Sequence, residues 1–490
     1  MAIAFDGIPD DLMTPGVYVE FDNSMAVQGL TNQTNRIVLL APKLKTGEAT
    51  ANVPVMVTST ADAKRLAGAG SIGAAMLCRI FDVTKTVETW FLPVDDPAGG
   101  AEAKRTITLS GSTTEAGTLS LYVTGTLVQV GVGVGDSADD IATAIADAIK
   151  AKSDLTVTAA ASAKIVTVTS RHKGVGGSDL DIRVNFYDSQ RTPAGLSVEI
   201  GAVTAGTGAH EIQDAIDALG ATQYLTMISA FADDTALPII EGELKKRWGP
   251  LFQNDSHCFI AKRGTVGEIS SFLDQRNNEH MTCVVCEKDG EPQPTFEKAA
   301  LLGALAAFYL GIDPARPLKE LVMPGRLPSS VDVRFQREER NLLLASGAAT
   351  TYVNEGGEVV VERCPTMYTK TSTGVNDISY QQTETMYTLS RLRYQVRARL
   401  LQRFPRHKLV GDDVEIPPGV AMVNPKIVRA ELGNLASLWV EAGLIEDRKQ
   451  FMNDLVVERD VNVPTRLKVL IAPNLVNQLF VIGVKTQFIL

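Results

Sequence analysis

Between Gln223 and Tyr309 short apolar runs alternate with segments of helical period, and this constrains the fold more than any other feature of the chain. Gln223–Ser229, His257–Ala261 and Met281–Cys286 read as strands; Leu237–Arg247, Val266–Gln275 and Phe296–Tyr309 read as helices. Strand and helix alternating at this spacing predict a mainly parallel sheet with helices packed on it. Such a sheet is buried on both faces, and the 45% hydrophobic content supplies the side chains for it.

The 490 residues exceed one core and predict two to four domains. Residues 1–30 form an arm: Pro9 and Pro15-Gly16 punctuate it, and Val17, Tyr18, Val19, Glu20 and Phe21 have strand character without a local strand to pair with. Residues 31–100 begin the body, with a strand at Asn35–Ala41, a helix near Ala61–Leu66, and a strand at Val87–Leu92 stopped by Pro93. From 101 to 206 the composition turns to Thr, Ser, Val and Gly. Clear alternation at Leu119–Val123 and Ile165–Thr169 predicts an inserted, protruding β-rich domain. One helix interrupts it, capped by Ser137 and carrying Ile141, Ile145 and Ile149 on one face. Residues 207–345 hold the α/β body and 346–490 a C-terminal domain. The latter contains a hairpin around Asn354-Glu355-Gly356-Gly357, helices at Ser379–Phe404 and Pro425–Gly443, strands at Leu455–Glu458, Arg466–Ile471 and Phe480–Leu490, and a short helix near Leu475–Leu479. The fold class expected is multidomain α+β and α/β.

Net charge of −10 argues against a nucleic-acid coat, because phosphate binding needs excess Lys and Arg. The first residues lack a basic n-region and a long apolar core, so no secretory leader is expected, and Ala299–Gly311 is too short for a bilayer and reads as a core helix. No membrane anchor is expected. Five cysteines fit a reducing compartment.

Chemistry finds little to rest on. The first α/β strand is followed by Ala230-Phe231-Ala232-Asp233-Asp234-Thr235, with no glycine to cradle a phosphate and two acids to repel one. Cys283-Val284-Val285-Cys286 is a lone CxxC on an expected strand, where positions three apart face opposite sides. His257 and His280 have no second histidine at metal spacing. Gly174-Val175-Gly176-Gly177 reads as a turn. No catalytic residue, metal or cofactor is expected. The unusual charge feature is a basic helix: no acid lies between Thr385 and Val410, while Arg391, Arg393, Arg397, Arg399, Arg403, Arg406 and Lys408 do. Leu389, Leu392, Val396 and Leu400 form its expected buried stripe, leaving Arg391, Arg397 and Arg399 off it. Two readings stand: an acidic surface on this subunit or a partner, or a solvated face near Asp412, Asp413 and Glu415.

The two ends of the chain resemble the Mu-like bacteriophage tail-sheath family. The residues that carry the resemblance are Pro15-Gly16-Val17-Tyr18-Val19-Glu20, Asn35-Arg36-Ile37-Val38-Leu39, Asn474-Leu475-Val476-Asn477-Gln478-Leu479 and the closing Gln487-Phe488-Ile489-Leu490. The order of parts is similar too: arm, interrupted α/β body, β-rich insertion, strand-ended C-terminal region. The resemblance implies a sheath core in hexameric rings stacked helically around a tail tube, with baseplate and tail terminator proteins as further partners. It implies a place in the virion tail, with assembly in the host cytoplasm. Terminal strands would join neighbouring subunits, through Val17, Tyr18, Val19 and Phe21 at one end and Phe480, Val481, Ile482, Val484, Phe488, Ile489 and Leu490 at the other. Contact with the tube or a neighbour would fall to Arg391, Arg397 and Arg399. Another virion or injection-machine component, the sheath of a phage-derived bacteriocin, and an enzyme built on the α/β body are the rival readings.

Overall fold

The structure, a computed structural model, describes residues 13–19 and 29–489. They fall into two compact units, Thr34–Met386 and Tyr387–Leu490, the latter joined by residues from Met1–Gln33.

The larger unit opens with strand β1 (Arg36–Pro42), strand β2 (Val55–Val57), helices α1 (Thr60–Ala67) and α2 (Ile72–Val83), and strand β3 (Glu88–Val94). Ser59 and Ser71 cap the two helices, each accepting from a backbone amide three residues on. β3 runs through Pro93 where a stop was expected. In a strand a residue's N–H and C=O point to the same side. The Pro93 carbonyl accepts from Asn52, beyond the end of β2, so the missing N–H removes no ladder bond.

The insertion follows. Strands β4 (Glu102–Gly111), β5 (Gly117–Val123) and β6 (Thr126–Val132), helix α3 (Ala138–Ala151), and strands β7 (Val157–Ser162), β8 (Ile165–Lys173), β9 (Ile182–Val184) and β10 (Leu196–Ile200) form two antiparallel sheets, ordered β10-β4-β8-β7 and β6-β5-β9. Ser137 caps α3 by accepting from Asp140, and Ile141, Ile145 and Ile149 face a core shared with Leu109, Leu121, Val128 and Val166. This core is separate from that of the body.

The body resumes with helix α4 (Gln213–Ala218), strand β11 (Thr226–Ser229), helix α5 (Ala236–Trp248), strand β12 (His257–Gly264), helix α6 (Val266–Arg276), strand β13 (Met281–Glu287) and helix α7 (Thr295–Ile312). Helix α8 (Arg337–Ala345) and strands β14 (Ala348–Val353) and β15 (Val359–Arg363) complete it. One eight-stranded sheet results, ordered β15-β14-β13-β12-β11-β1-β3-β2. Its six inner strands are parallel, and an antiparallel strand closes each edge. The expected boundary at 346 falls inside this sheet, since β14 pairs with β13 and the compact C-terminal unit begins at Tyr387.

Each face of the sheet is covered. Val38, Leu40, Cys258, Ile260 and Cys283 pack against Ile216, Leu237, Ile240, Ile269 and Leu343 from α4, α5, α6 and α8. The opposite face takes α2 and α7. α7 has 18 residues and the apolar composition of a bilayer span, yet it is a core helix, 72% buried. A Cβ on Gly303 would lie 2.5 Å from Ile228, so only glycine lets α7 approach β11 this closely. Burying each of Leu301, Leu302 and Leu310 contributes about 1.5–3 kcal/mol.

The smaller unit is built on helix α9 (Thr383–Arg403), which starts in the larger unit. Strands β16 (Lys408–Leu409) and β17 (Met422–Val423), helix α10 (Pro425–Glu441), strand β18 (Ile445–Glu446), helix α11 (Arg448–Asp454) and strands β19 (Val456–Arg459), β20 (Leu467–Leu470) and β21 (Asn474–Leu475) complete it. Among the described residues its sheets are pairs: β16-β17, β18-β21 and β19-β20. Trp439 of α10, fully buried, donates from Nε1 to Gln395 of α9 at 2.8 Å and meets Phe451 of α11 edge-on. The helix expected near 475–479 is absent; β21 stands at its start and residues 476–489 have no regular structure.

Candidate assembly surfaces and a filled crevice

An open parallel sheet offers a ligand crevice beyond the carboxyl ends of its strands, where helix N-termini point. Here a 350 Å³ crevice lies at the ends of β11 and β12, beside the start of α7. The chain's own polar side chains line it and satisfy one another. Asp233, one of the two acids after β11, accepts from the Thr235 and Ala236 amides at 3.0 Å and caps α5. The glycine cluster at 174–177 is a tight turn, with Gly174 at φ +94°, and it carries the chain to Asp179. Asp179 accepts from the Thr295 amide at the start of α7 at 2.5 Å and from Arg263 Nε at 3.1 Å.

A second insertion residue meets the start of α2. The Ile72 amide donates to His172 Nε2 at 3.0 Å, which makes Nδ1 the protonated nitrogen; it faces Asp96 Oδ1 at 2.7 Å. His172 is fully buried. Burial of Asp96 opposes its ionisation, but His172, then His210 and the Lys173 amide outweigh this and hold its carboxyl well below the usual range.

Cys283 and Cys286 lie on β13 and point apart. Cys283 joins the α6–α8 side of the core, and Cys286 Sγ is 3.8 Å from Arg326. Burial pushes their thiols up to about 12 and 11. His257 is buried with Nε2 2.9 Å from Thr282 Oγ1, and burial lowers its pKa to about 3. Among the described residues no cluster of His, Cys, Asp and Glu could hold a metal.

Both chain ends hold clusters of exposed apolar residues. Val17 is 94% exposed, and Tyr18 and Val19 are exposed as well. Residues 17–19 form no strand within the subunit, while Phe21 lies outside the described residues. At the other end Phe480 is half-buried; Val481, Ile482, Val484, Phe488 and Ile489 are exposed, Ile489 at 99%. The expected strand Phe480–Leu490 is not formed in the isolated subunit, and Leu490 lies outside the described residues. A strand needs a partner edge, and among the described residues none pairs as a strand with 481–489. Within the smaller unit the β19-β20 hairpin presents Val456, Val469 and Leu470 to solvent.

The basic helix differs from its sequence reading. Its buried line runs through Thr388, Leu392, Gln395 and Arg399, one step from the expected stripe of Leu389, Val396 and Leu400. Arg399 is 6% exposed and its guanidinium pairs with Glu431 of α10, which Arg403 also reaches at 3.2 Å. It therefore offers no surface to a tube or neighbour: α10 supplies an internal acid that the local charge count could not reveal. Arg397 is exposed and Arg391 half-buried.

Comparison with known proteins extends these features to a family. Residues 205–367 match the phage tail sheath protein central domain, and residues 375–489 match the phage tail sheath C-terminal domain. The chain is 42% identical over all 490 residues to the Mu-like prophage FluMu tail sheath protein of Haemophilus influenzae, covering the whole of both. The fold is similar to that of the sheath tail protein of Listeria innocua (TM-score 0.51, 11% identity, 93% of this chain and 95% of that one). It is also similar to a chain of the anti-feeding prophage baseplate (TM-score 0.50, 12% identity, 98% and 100% covered). The two matched domains and 42% identity over the full length of a sheath protein lead to one conclusion: this chain belongs to the phage tail sheath family.

Proposed function

We propose that the chain is the contractile tail sheath subunit of a Mu-like phage or prophage. It polymerises as stacked hexameric rings around a tail tube between baseplate and tail terminator proteins, and contracts to drive the tube through the host envelope. Assembly takes place in the host cytoplasm, and the product is a virion tail. Residues 101–206 act as an insertion carried by the body rather than as part of its sheet.

The observation that carries this reading is the exposure of Val481, Ile482, Val484, Phe488 and Ile489 on a C-terminal unit whose ladders, among the described residues, are two strands wide. Soluble monomers rarely expose such a segment, whereas a strand added to a neighbour's edge buries it. Four to six backbone hydrogen bonds at about 0.5–1.5 kcal/mol each give roughly a few kcal/mol per strand. That is small for one subunit and large when repeated along a polymer. Contraction without a nucleotide follows from two packings of the same subunits, their free-energy difference summed over many copies.

Electron microscopy of the purified protein tests the proposal. Short, wide tubes formed without tube protein or nucleotide are expected. Persistent monomers, or tubes that shorten only with nucleotide, would overturn it.

A further inference from the structure

We infer that the body contains a built oxyanion site at the start of α7, and that the insertion fills it in cis with the carboxylate of Asp179. The inference concerns the folded subunit and stands apart from polymerisation.

Three features define the site. The first is the amide of Thr295, which opens an 18-residue helix whose N-cap is Pro294, a residue with no side-chain oxygen, so its acceptor must come from elsewhere. The second is Arg263 at the end of β12. Its other nitrogens are spent on the Glu287, Glu291 and Gln293 carbonyls at 2.9–3.1 Å, which fixes the guanidinium and leaves Nε facing the helix start. The third is the occupant: Asp179 bridges the two donors, one oxygen to each. Arg263 is held in its charged form more firmly than usual; burial opposes this and the nearby Asp179 carboxylate outweighs it.

A carboxylate bridging an arginine and a helix amide is bound as a small oxyanion would be. The insertion thereby satisfies the two anion donors in the wall of that crevice. His172 meets the start of α2 from the same insertion, accepting from the Ile72 amide beside the Ser71 cap, so both helices on that face receive an acceptor from the insertion. Asp179 is a positioning residue: it fixes α7 and ties the insertion to the body.

Chemical rescue distinguishes this from ordinary packing. Asp179→Ala should fold with a melting temperature several degrees below wild type. Formate or acetate should restore at least half of the loss relative to chloride at matched ionic strength, and wild type should show no such preference. Asp179→Asn fills the space with a neutral amide, so it should lose less and gain nothing from formate. If the alanine variant does not fold, Asp179→Ser leaves room for the anion and serves in its place. Equal response of wild type and variant to formate, or absence of rescue in the alanine and serine variants, would overturn the inference.

Discussion

The two compact units use their backbone hydrogen bonds in opposite ways. In the larger unit eight strands form one sheet, its parallel interior buried on both faces and its edges closed by antiparallel strands. At the β15 edge, residues 320–323 add further bonds, with Glu320 and Met323 amides donating to Val361 and Val359. In the smaller unit the three ladders are pairs, and an isolated pair of strands is marginal in water. The first unit is finished by its own sequence. The second carries ladders of two strands and a tail that forms no strand among the described residues, which under the proposed function a neighbouring subunit would complete.

The largest effect should come from removing the tail. Deleting residues 476–490 is expected to abolish tubes while leaving the monomer's circular dichroism and melting temperature near wild type. Normal tubes from this truncation would erase the contrast between the units.

Inside the larger unit the most sensitive point is a buried ion cluster. Glu291 accepts from Lys298 and, at 2.6 Å, from Arg326; all three are at most 6% exposed. Burial disfavours the carboxylate, but the two cations outweigh it and bring its pKa to about 2. Glu291→Ala leaves two buried cations facing each other and should cost about 3–5 kcal/mol in chemical denaturation.

A pH effect follows from Glu384 in the first turn of α9. It accepts from the Leu318 amide at 2.7 Å, and burial raises its pKa from 4.5 to about 7. The folded protein therefore holds this proton more tightly than the unfolded chain. Its contribution is complete below pH 4.5 and is lost as pH rises through about 7. Glu384→Gln should match wild type at pH 4.5 and exceed it by up to about 3 kcal/mol at high pH. A gap independent of pH would show that the carboxyl is not the titrating group.

The smallest effect sharpens the reading of the basic helix. Arg397→Glu should leave monomer stability within about 0.5 kcal/mol, because the side chain is exposed. Arg399→Glu places an acid against Glu431 and should destabilise the monomer by at least about 2 kcal/mol. If Arg397→Glu also leaves tube yield and salt dependence unchanged, Arg397 belongs to a solvated face.

Much of the fold was legible because its signals are local. The three strands and three helices between 223 and 312 announce themselves by period, and Ser137 announces α3. Helix α2 was not read: Ile72–Val83 is apolar nearly all round, so it shows no face, and its burial between α7 and the sheet explains why it needs none. The crevice was read as lacking a phosphate cradle, but its occupants were invisible. His172 meets Asp96 across 76 residues and Asp179 meets Thr295 across 116, and no local pattern marks partners so distant. The glycine turn before Asp179 was the one available signal. Arg399 was misplaced for the same reason, since Glu431 lies 32 residues away.

Lys298 gives α7 an unusual role in the order of folding events. An apolar helix can dock on a sheet as soon as the sheet exists, but an ammonium cannot follow it into the core before its acceptors arrive. Lys298 Nζ donates to the Val285 carbonyl at 2.7 Å and to Glu291, and Glu291 is fixed in turn by Arg326, which also reaches the Pro294 carbonyl at 2.9 Å. The first turn of α7 therefore closes only when the loop after β13 and the segment around 326 are both in place. Nucleation by the remainder of the helix is free to come early. Substitutions at Leu302 should accordingly slow folding, while substitutions at Glu291 should chiefly speed unfolding.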